Sequence, residues 1–334
     1  MFSYLLVFLA AFGCSLVLTP AVRHLALRWQ IVAEPGGRRR HSGRLPRLGG
    51  LPLLAAYGVG VGLIYWRLPP SGDDALRLRG VVLGTLVIFL GGLIDDRWEL
   101  PALPQFLIQA AGAAVAMAYI VFIEVYTNPF TGELTWITPR ILALAVTLFW
   151  ILAMINAVNW LDGLDGLATG VGAIAALLFA WHSYRLGQTA VAAFPLALAG
   201  ALLGFLPYNF SPARIFLGTA GAYFLGYNLA TLAILSPAKI ATALLVLAVP
   251  ILDWAWQIFD RLRQRRSPFQ GDRGHLHFRL ADRGVPVRWI VLGYYGVAVT
   301  FGLVAIFATG LAKVVILGVG GAAVLGVLVW LSGR

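Results

Sequence analysis

Long apolar runs, separated by short polar interruptions, extend over the whole chain. A helix needs about 20 apolar residues to cross the hydrocarbon core of a bilayer, and eleven segments approach this length. The predicted spans lie near residues 3–22, 48–66, 80–94, 104–123, 140–158, 167–184, 190–206, 218–235, 239–259, 289–308 and 313–331. The pattern predicts an all-α, polytopic membrane protein with about 11 transmembrane helices in a single domain over residues 1–334.

The composition supports this prediction and limits the classes of function. Hydrophobic residues make up 60% of the chain and charged residues 12%, whereas a soluble domain carries about 25% charged residues. No part of the chain is polar enough to form a large soluble domain. The net charge of +11 would suggest nucleic acid as a partner of a soluble protein. In a membrane protein, basic residues instead anchor the cytoplasmic loops, so we expect no nucleic-acid partner.

The distribution of basic residues predicts the orientation of the chain. With the N-terminus outside, the segments on the inner side hold 18 of the 25 Lys and Arg residues, as the positive-inside rule requires. The longest hydrophilic segments, 33–47 and 261–288, are then cytoplasmic loops. The polar motifs described below all fall on this same side.

The first polar motif is the acid pair Asp95-Asp96, which follows the third apolar run. Acids at the ends of membrane helices are costly and usually functional. Adjacent helical residues point about 100° apart, so one acid can face a site while the other supports it. Two neighbouring carboxylates repel each other, which suits a base or a divalent-metal site. The structural alternative is a helix-end cap paired with Arg97.

The second motif has polar residues at every third position, namely Asn156, Asn159, Asp162 and Asp165. At helical spacing they would form one drifting polar stripe. Two carboxamides and two carboxylates can bind Mg²⁺ or a phosphate–metal complex, since hard cations prefer oxygen ligands. An ordinary polar connector between two spans is the alternative interpretation.

The third motif lies in the second basic loop and contains His275, His277 and Arg279. Arginine can bind pyrophosphate by paired contacts, and histidine can donate a hydrogen bond or carry a proton. Histidines two positions apart do not share a helix face, so we expect a loop here. Zinc is disfavoured because the chain has too few ligands for it, and a loop that only sets topology is the other alternative.

Two further segments are less specific. In 209–221, Thr219 follows Gly218 at a predicted helix start and is a candidate cap. In 35–50, the basic residues include His41 and Arg47. They either anchor the loop at the membrane or contact a lipid or nucleotide phosphate.

Taken together, the motifs between about residues 35 and 279 resemble the polyprenyl-phosphate N-acetylhexosamine-1-phosphate transferase family. The similarity is strongest to the bacterial branch that loads N-acetylglucosamine-1-phosphate onto undecaprenyl phosphate, and the run 156–166 is its most specific part. The resemblance implies a cleft at the cytoplasmic ends of the helices in the inner (plasma) membrane. It also implies a UDP-sugar donor, a polyprenyl phosphate acceptor, Mg²⁺ (or Mn²⁺) and release of UMP, in the first membrane step of a cell-envelope glycan pathway. A second copy of the chain is a candidate partner.

The resemblance also implies roles for the motif residues. Asp95 or Asp96 would activate or orient the lipid phosphate, and Asp162 and Asp165 would lie near the nucleotide and its phosphates. The remaining implied residues are the metal ligands Asn159 and Thr219 and the substrate-binding residues Asn156, His275, His277, Arg279, Arg47 and His41.

The chain departs from the family pattern at two positions. Thr219 stands where the family has an acidic metal ligand, and a neutral hydroxyl is a poorer ligand for Mg²⁺. Phe278 stands where the family usually has a third histidine. Asp253 or Asp272 could supply the missing carboxylate.

Three functions therefore compete. An active sugar-phosphate transferase is favoured by the complete array from Asn156 to Asp165. A catalytically silent relative that binds a lipid phosphate or a nucleotide sugar is favoured by the two departures. A transporter would also use intramembrane acids, but those should lie near the membrane midplane, whereas these acids gather at one face.

Overall fold

The structure is a computed structural model and describes residues 1–33, 45–128, 131, 133–235, 237–267, 274–308 and 310–332. Within these ranges the chain forms thirteen helices and four short strands. The helices are α1 (Phe2–Arg28), α2 (Gly50–Arg67), α3 (Gly72–Trp98), α4 (Ala102–Ala118), α5 (Arg140–Leu161), α6 (Leu167–Arg185), α7 (Thr189–Asn209), α8 (Gly218–Ile234), α9 (Pro237–Val246), α10 (Ala248–Arg263), α11 (Leu276–Asp282), α12 (Val287–Phe307) and α13 (Gly310–Ser332).

Six of the described helices are long and apolar enough to cross a membrane, namely α1, α3, α5, α6, α7 and α12. The bent pair of α9 and α10 makes a seventh candidate. Helices satisfy all their backbone hydrogen bonds internally, which is why apolar segments take this form in lipid. The all-α, polytopic prediction is confirmed. Each of the eleven predicted segments overlaps a helix, but the number of eleven spans stays a prediction.

The centre of the bundle is formed by α7 and α8. Helix α7 packs against α1, α2 and α6, and α8 packs against α2, α3 and α5. Every residue of α8 from Ala220 to Ile234 is buried. Gly200 and Gly204 of α7 lie so close to the backbone of α1 that a side chain at either position would collide with it. Small residues at helix contacts permit this close approach.

The segment predicted as one span near 239–259 is broken. Helices α9 and α10 meet at Leu247 with a bend of 75°. Pro250 lies in the first turn of α10, and a proline lacks the amide hydrogen and clashes with the carbonyl four residues earlier. The helix therefore cannot continue straight through this point.

The four strands form two antiparallel hairpins that the sequence pattern does not predict. Strand β1 (Val32–Ala33) pairs with β2 (Leu45–Pro46), so the described ends of the first basic loop lie side by side. Strand β3 (Val125–Thr127) pairs with β4 (Leu134–Trp136) between α4 and α5. Both pairs are too short to change the fold class.

Candidate active site

The end of α3 meets the beginning of α8 through Asp96. Its Oδ1 accepts a hydrogen bond from the backbone N–H of Thr219 at 2.8 Å, and its Oδ2 accepts one from Ala220 at 2.9 Å. A carboxylate at a helix N-terminus satisfies amides that have no partner within the helix and interacts favourably with the helix dipole. The cap of α8 is therefore Asp96 from another helix, and the prediction of Thr219 as a side-chain cap is wrong.

The close contact between α3 and α8 requires a glycine at position 218. Gly218 has φ +77°, in the left-handed region that favours glycine. A side chain here would also collide with the backbone oxygen of Arg47 and with the Asp96 carboxylate. Gly218 thus brings the end of the first basic loop, the acid pair and the start of α8 together.

Asp95 has different surroundings from Asp96. Its Oδ1 accepts hydrogen bonds from the backbone N–H of Leu100 at 3.0 Å and from Nε2 of Gln105 at 2.9 Å. These contacts stabilise the turn between α3 and α4. Asp95 therefore shapes this turn, while Asp96 is the acid that reaches the neighbouring motif.

The predicted polar stripe on α5 is only partly helical. Helix α5 ends at Leu161, so Asp162 and Asp165 lie in its connection to α6. Oδ2 of Asp165 accepts a hydrogen bond from the backbone N–H of Ala213 at 2.9 Å, and the hydroxyl of Tyr295 donates to the carbonyl of Gly166 at 2.6 Å. These contacts hold the connection against the loop after α7 and against α12.

Asp96, Asp162 and Asp165 lie near enough to affect one another electrostatically. Burial raises the pKa of the Asp162 carboxyl well above its ordinary value, and the negative charges of Asp96 and Asp165 raise it further. The positive charge of Arg47 acts in the opposite direction. Arg47 is mostly buried, and its Nη1 lies 3.1 Å from Oε1 of the exposed Glu99. We call Asp96, Asp162 and Asp165 the acidic cluster.

Asn156 is engaged inside the bundle. Its Nδ2 donates to Oε1 of Gln109 at 2.7 Å, and Gln109 in turn lies next to the hydroxyl of Tyr223. The Tyr223 hydroxyl donates to Oε1 of Gln105 at 3.2 Å, which leads back to Asp95. A group of polar side chains therefore joins α5, α4, α8 and α3.

Asn159 lies one turn further along α5 than Asn156 and is half-buried beside the end of the helix. It is therefore the carboxamide nearer in sequence to the acidic cluster. The adjacent Trp160 packs edge-on against the His275 ring, with 5.0 Å between ring centroids. This contact links the second motif to the third.

Part of the third motif is helical, although the sequence predicts a loop. His275 precedes α11, and His277 and Arg279 lie within it. His277 is buried and its ring lies 4.3 Å from that of Phe278, while Nε of Arg279 donates to the carbonyl of Gly274. A helix forms here because a carboxylate of α10 caps it, a tertiary contact that the spacing of the histidines does not reveal.

That capping carboxylate belongs to Asp253, whose oxygens contact the backbone N–H of Leu276 and Nδ1 of His275. The sequence suggests Asp253 only as a metal ligand in place of the missing acid. Asp253, Gln257 and Arg261 are buried on one face of α10. Their spacing of four residues is a helical signal that could have identified them from the sequence.

Two predicted residues cannot be placed, because His41 and Asp272 lie outside the described residues. Gln105, Gln109 and Tyr223 were not predicted. Isolated polar residues within apolar segments carry no motif, and only the fold shows that these three are connected.

Comparison with known proteins gives the family. Residues 78–237 match the profile of glycosyl transferase family 4. A probable undecaprenyl-phosphate N-acetylglucosaminyl 1-phosphate transferase of Bacillus subtilis (strain 168) is 32% identical over 300 residues, which are 87% of this chain and 81% of the relative. The chain belongs to glycosyl transferase family 4.

Other relatives have closely related names. A decaprenyl-phosphate N-acetylglucosaminephosphotransferase of Mycolicibacterium smegmatis is 36% identical over 305 residues, covering 82% of this chain and 74% of the relative. An undecaprenyl-phosphate alpha-N-acetylglucosaminyl 1-phosphate transferase of Escherichia coli (strain K12) is 28% identical over 279 residues, covering 80% of this chain and 73% of the relative. The family resemblance inferred from the motifs is confirmed, and the chain is an integral membrane protein of glycosyl transferase family 4.

The oxygen donors around the acidic cluster fit a divalent cation. Among the described residues, no three His, Cys, Asp or Glu side chains lie close enough to hold a metal by themselves. Mg²⁺, however, commonly binds through one or two carboxylates, waters and substrate phosphates. Asp96 and Asp162 offer carboxylates of this kind, and Thr219 lies against Asp96 through its backbone amide. A cation would also relieve the repulsion that raises the pKa of Asp162.

Proposed function

We propose that this family member transfers N-acetylglucosamine-1-phosphate from its UDP-sugar to a polyprenyl phosphate and releases UMP. The observation that carries the proposal is the acidic cluster, which two separate motifs build at one end of the bundle next to Arg47. His275 of the third motif packs against Trp160, near the end of α5 from which Asp162 follows. This reaction needs acidic side chains that bind a metal ion and basic side chains that bind a diphosphate.

The position of the cluster suits the two substrates. The acceptor has its chain in the bilayer and its phosphate at the surface, whereas the donor is dissolved in water. A site at the ends of membrane helices is where the two can meet. We infer that the protein lies in the inner membrane with its N-terminus outside. This end of the bundle then faces the cytoplasm, because the basic residues are concentrated at this end.

In the proposed reaction an oxygen of the lipid phosphate bonds to the β-phosphorus of the donor, which carries the sugar. The bond from that phosphorus to the bridging oxygen breaks, and its electron pair leaves with UMP. A phosphate monoester has a second pKa of about 6, so the attacking oxygen is already deprotonated near neutral pH. The acids are therefore needed for orientation and charge more than for removing a proton.

The residues of the site then have two roles in the reaction, metal binding and phosphate binding. Asp96 and Asp162 would hold Mg²⁺ or Mn²⁺, with Asn159 and Thr219 as neutral donors, and the bound ion supplies charge neutralisation at the diphosphate. The cationic and histidine side chains bind and orient the phosphates and stabilise the charge that develops on them. These side chains are Arg47, His275, His277 and Arg279.

The test is UMP release by the purified protein in detergent with UDP-N-acetylglucosamine, undecaprenyl phosphate and Mg²⁺. Release should require the acceptor. Asp162→Asn should lower turnover by at least about 100-fold, because a charged group of the site is lost. Asp73→Asn is the matched control, since Asp73 is exposed in the first turn of α3, and it should behave like wild type. Equal activity of both variants would refute the proposal.

One observation favours a second candidate, a relative that binds these ligands without turnover. Thr219 is neutral, and the described residues contain no group of three potential metal-binding acids, cysteines or histidines. Such a protein would bind UMP or lipid phosphate but release no UMP. In that case Thr219→Asp, which adds a carboxylate at the start of α8, should produce turnover.

A further inference from the structure

Helix α10 carries a polar face into the protein and an apolar face away from it. Asp253, Gln257 and Arg261 are each 4% exposed or less, whereas Phe259 and Leu262 are 55% and 58% exposed. Burying charged and amide groups is costly unless they are paired. The three buried polar side chains of α10 therefore need partners within the protein.

Asp253 uses its two oxygens for two different contacts. Oδ1 accepts a hydrogen bond from the backbone N–H of Leu276 at 3.1 Å, which caps α11. Oδ2 lies 2.9 Å from Nδ1 of His275, and both side chains are almost fully buried. The carboxylate thus fixes the beginning of α11 and the imidazole that precedes it at the same time.

The contact with His275 determines which ring nitrogen carries the proton. A carboxylate can only accept a hydrogen bond, so Nδ1 must be the donor. A carboxylate on one nitrogen also sets the orientation of the ring. Nε2 is then the nitrogen left for other contacts of the ring.

Further contacts hold the same segment. Nε2 of Gln257 donates to the carbonyl of Gly274 at 2.6 Å. The guanidinium of Arg261 lies 4.9 Å from the centre of the Trp160 ring, and Trp160 packs against His275. The buried face of α10 therefore fastens residues 274–276 to the end of α5, where the second motif lies.

We propose that Asp253 is a positioning residue that acts through His275. It keeps the proton on Nδ1, so that Nε2 of His275 is presented to a phosphate oxygen of the nucleotide sugar. This inference rests on the proposed function. It gives Asp253 a role apart from the acidic cluster and from metal binding.

The main experiment is a double-mutant cycle of Asp253→Asn and His275→Ala, measured as kcat and KM for UDP-N-acetylglucosamine. Asparagine keeps the size of the side chain, but it has one acceptor oxygen in place of the two that contact Leu276 and His275. We expect kcat of Asp253→Asn to fall by about 10- to 100-fold, as for other residues that orient a functional histidine. In the His275→Ala background the same substitution should change kcat by less than about twofold.

The matched control is Asp260→Asn, on the same helix. Asp260 contacts Arg263 and Gln264 rather than His275, and its replacement should leave kcat unchanged. If Asp253→Asn lowers kcat equally in both backgrounds, or leaves kcat unchanged in the wild-type background, the inference is wrong. Failure of the proposed function itself is recognised separately, since wild type would then release no UMP at all.

A second measurement is independent of turnover. The chain has five histidines, so nitrogen NMR of the histidine-labelled protein can assign the His275 signals by their loss in His275→Ala. We expect wild type to show a protonated Nδ1 and Asp253→Asn to lose this preference, while Asp260→Asn retains it. A His275 protonated on Nε2 alone in wild type would overturn the inference.

Discussion

At the scale of the residue, the two neighbouring acids of α3 have separate tasks. Asp95 accepts both of its hydrogen bonds through one oxygen, from a backbone N–H in the turn that follows its own helix and from Gln105 of α4. Asp96 uses one oxygen each for the amides of Thr219 and Ala220 and also lies in the acidic cluster. The sequence predicts that one acid would face the site, and the hydrogen bonds place Asp96 rather than Asp95 against the neighbouring motif.

This difference predicts opposite results for the same substitution. In Asp95→Asn the amide oxygen can still accept both hydrogen bonds, so kcat should stay within about threefold of wild type. Asp96→Asn loses one capping hydrogen bond and the negative charge, so kcat should fall by at least about 100-fold. UMP release under saturating substrate measures both. A larger loss in Asp95→Asn than in Asp96→Asn would reverse the assignment.

The raised pKa of Asp162 predicts how the metal requirement depends on pH. Protons and a divalent cation compete for the same carboxylate. As the pH falls through the raised pKa, Asp162 becomes protonated, and in its proposed role as a metal ligand it would then lose affinity for the cation. The Mg²⁺ concentration for half-maximal activity should therefore rise as the pH is lowered towards the acid range. A requirement that does not change with pH in wild type would argue against Asp162 as a metal ligand.

At the scale of the element, the sequence predicts the apolar helices well, because in lipid each apolar segment must satisfy its backbone hydrogen bonds internally. It does not predict the break between α9 and α10, although Pro250 marks it. It also misses α11, because that helix is capped by Asp253 of the preceding helix, a contact that is not visible in the sequence. The motif residues are recognisable one by one, whereas the group of polar side chains around Gln109 and Tyr223 forms only once α4, α5 and α8 pack together.

The start of α8 offers a test of this dependence on packing. Gly218 and Gly187 both have positive φ, but only Gly218 is crowded, by Arg47 and Asp96. Gly187→Ala should cost about 1 kcal/mol from the left-handed backbone alone and leave activity intact. Gly218→Ala should lower the thermal unfolding temperature further and abolish UMP release. Similar behaviour of the two variants would show that the contact between α3 and α8 is not needed.

At the scale of the whole molecule, the bundle brings polar motifs that are distant in the sequence to one end. Asp96 joins α3 to α8, Asp165 joins the α5–α6 connection to the loop after α7, and Asp253 joins α10 to α11. Acids gathered at helix ends, rather than near the midplane, are typical of an enzyme at the membrane surface and not of a transporter. The fold thus supplies a place where a lipid phosphate and a soluble nucleotide can react.

The most direct test follows the phosphorus atom that carries the sugar. UDP-N-acetylglucosamine labelled with radioactive phosphorus at the β-position is incubated with the protein, Mg²⁺ and undecaprenyl phosphate, and the lipid and water phases are separated. The account predicts that the label moves into the lipid phase, in amounts equal to the UMP formed, and that a label at the α-position stays in water. Label that remains in the water phase from both positions, with the acceptor present, would contradict the proposed transfer.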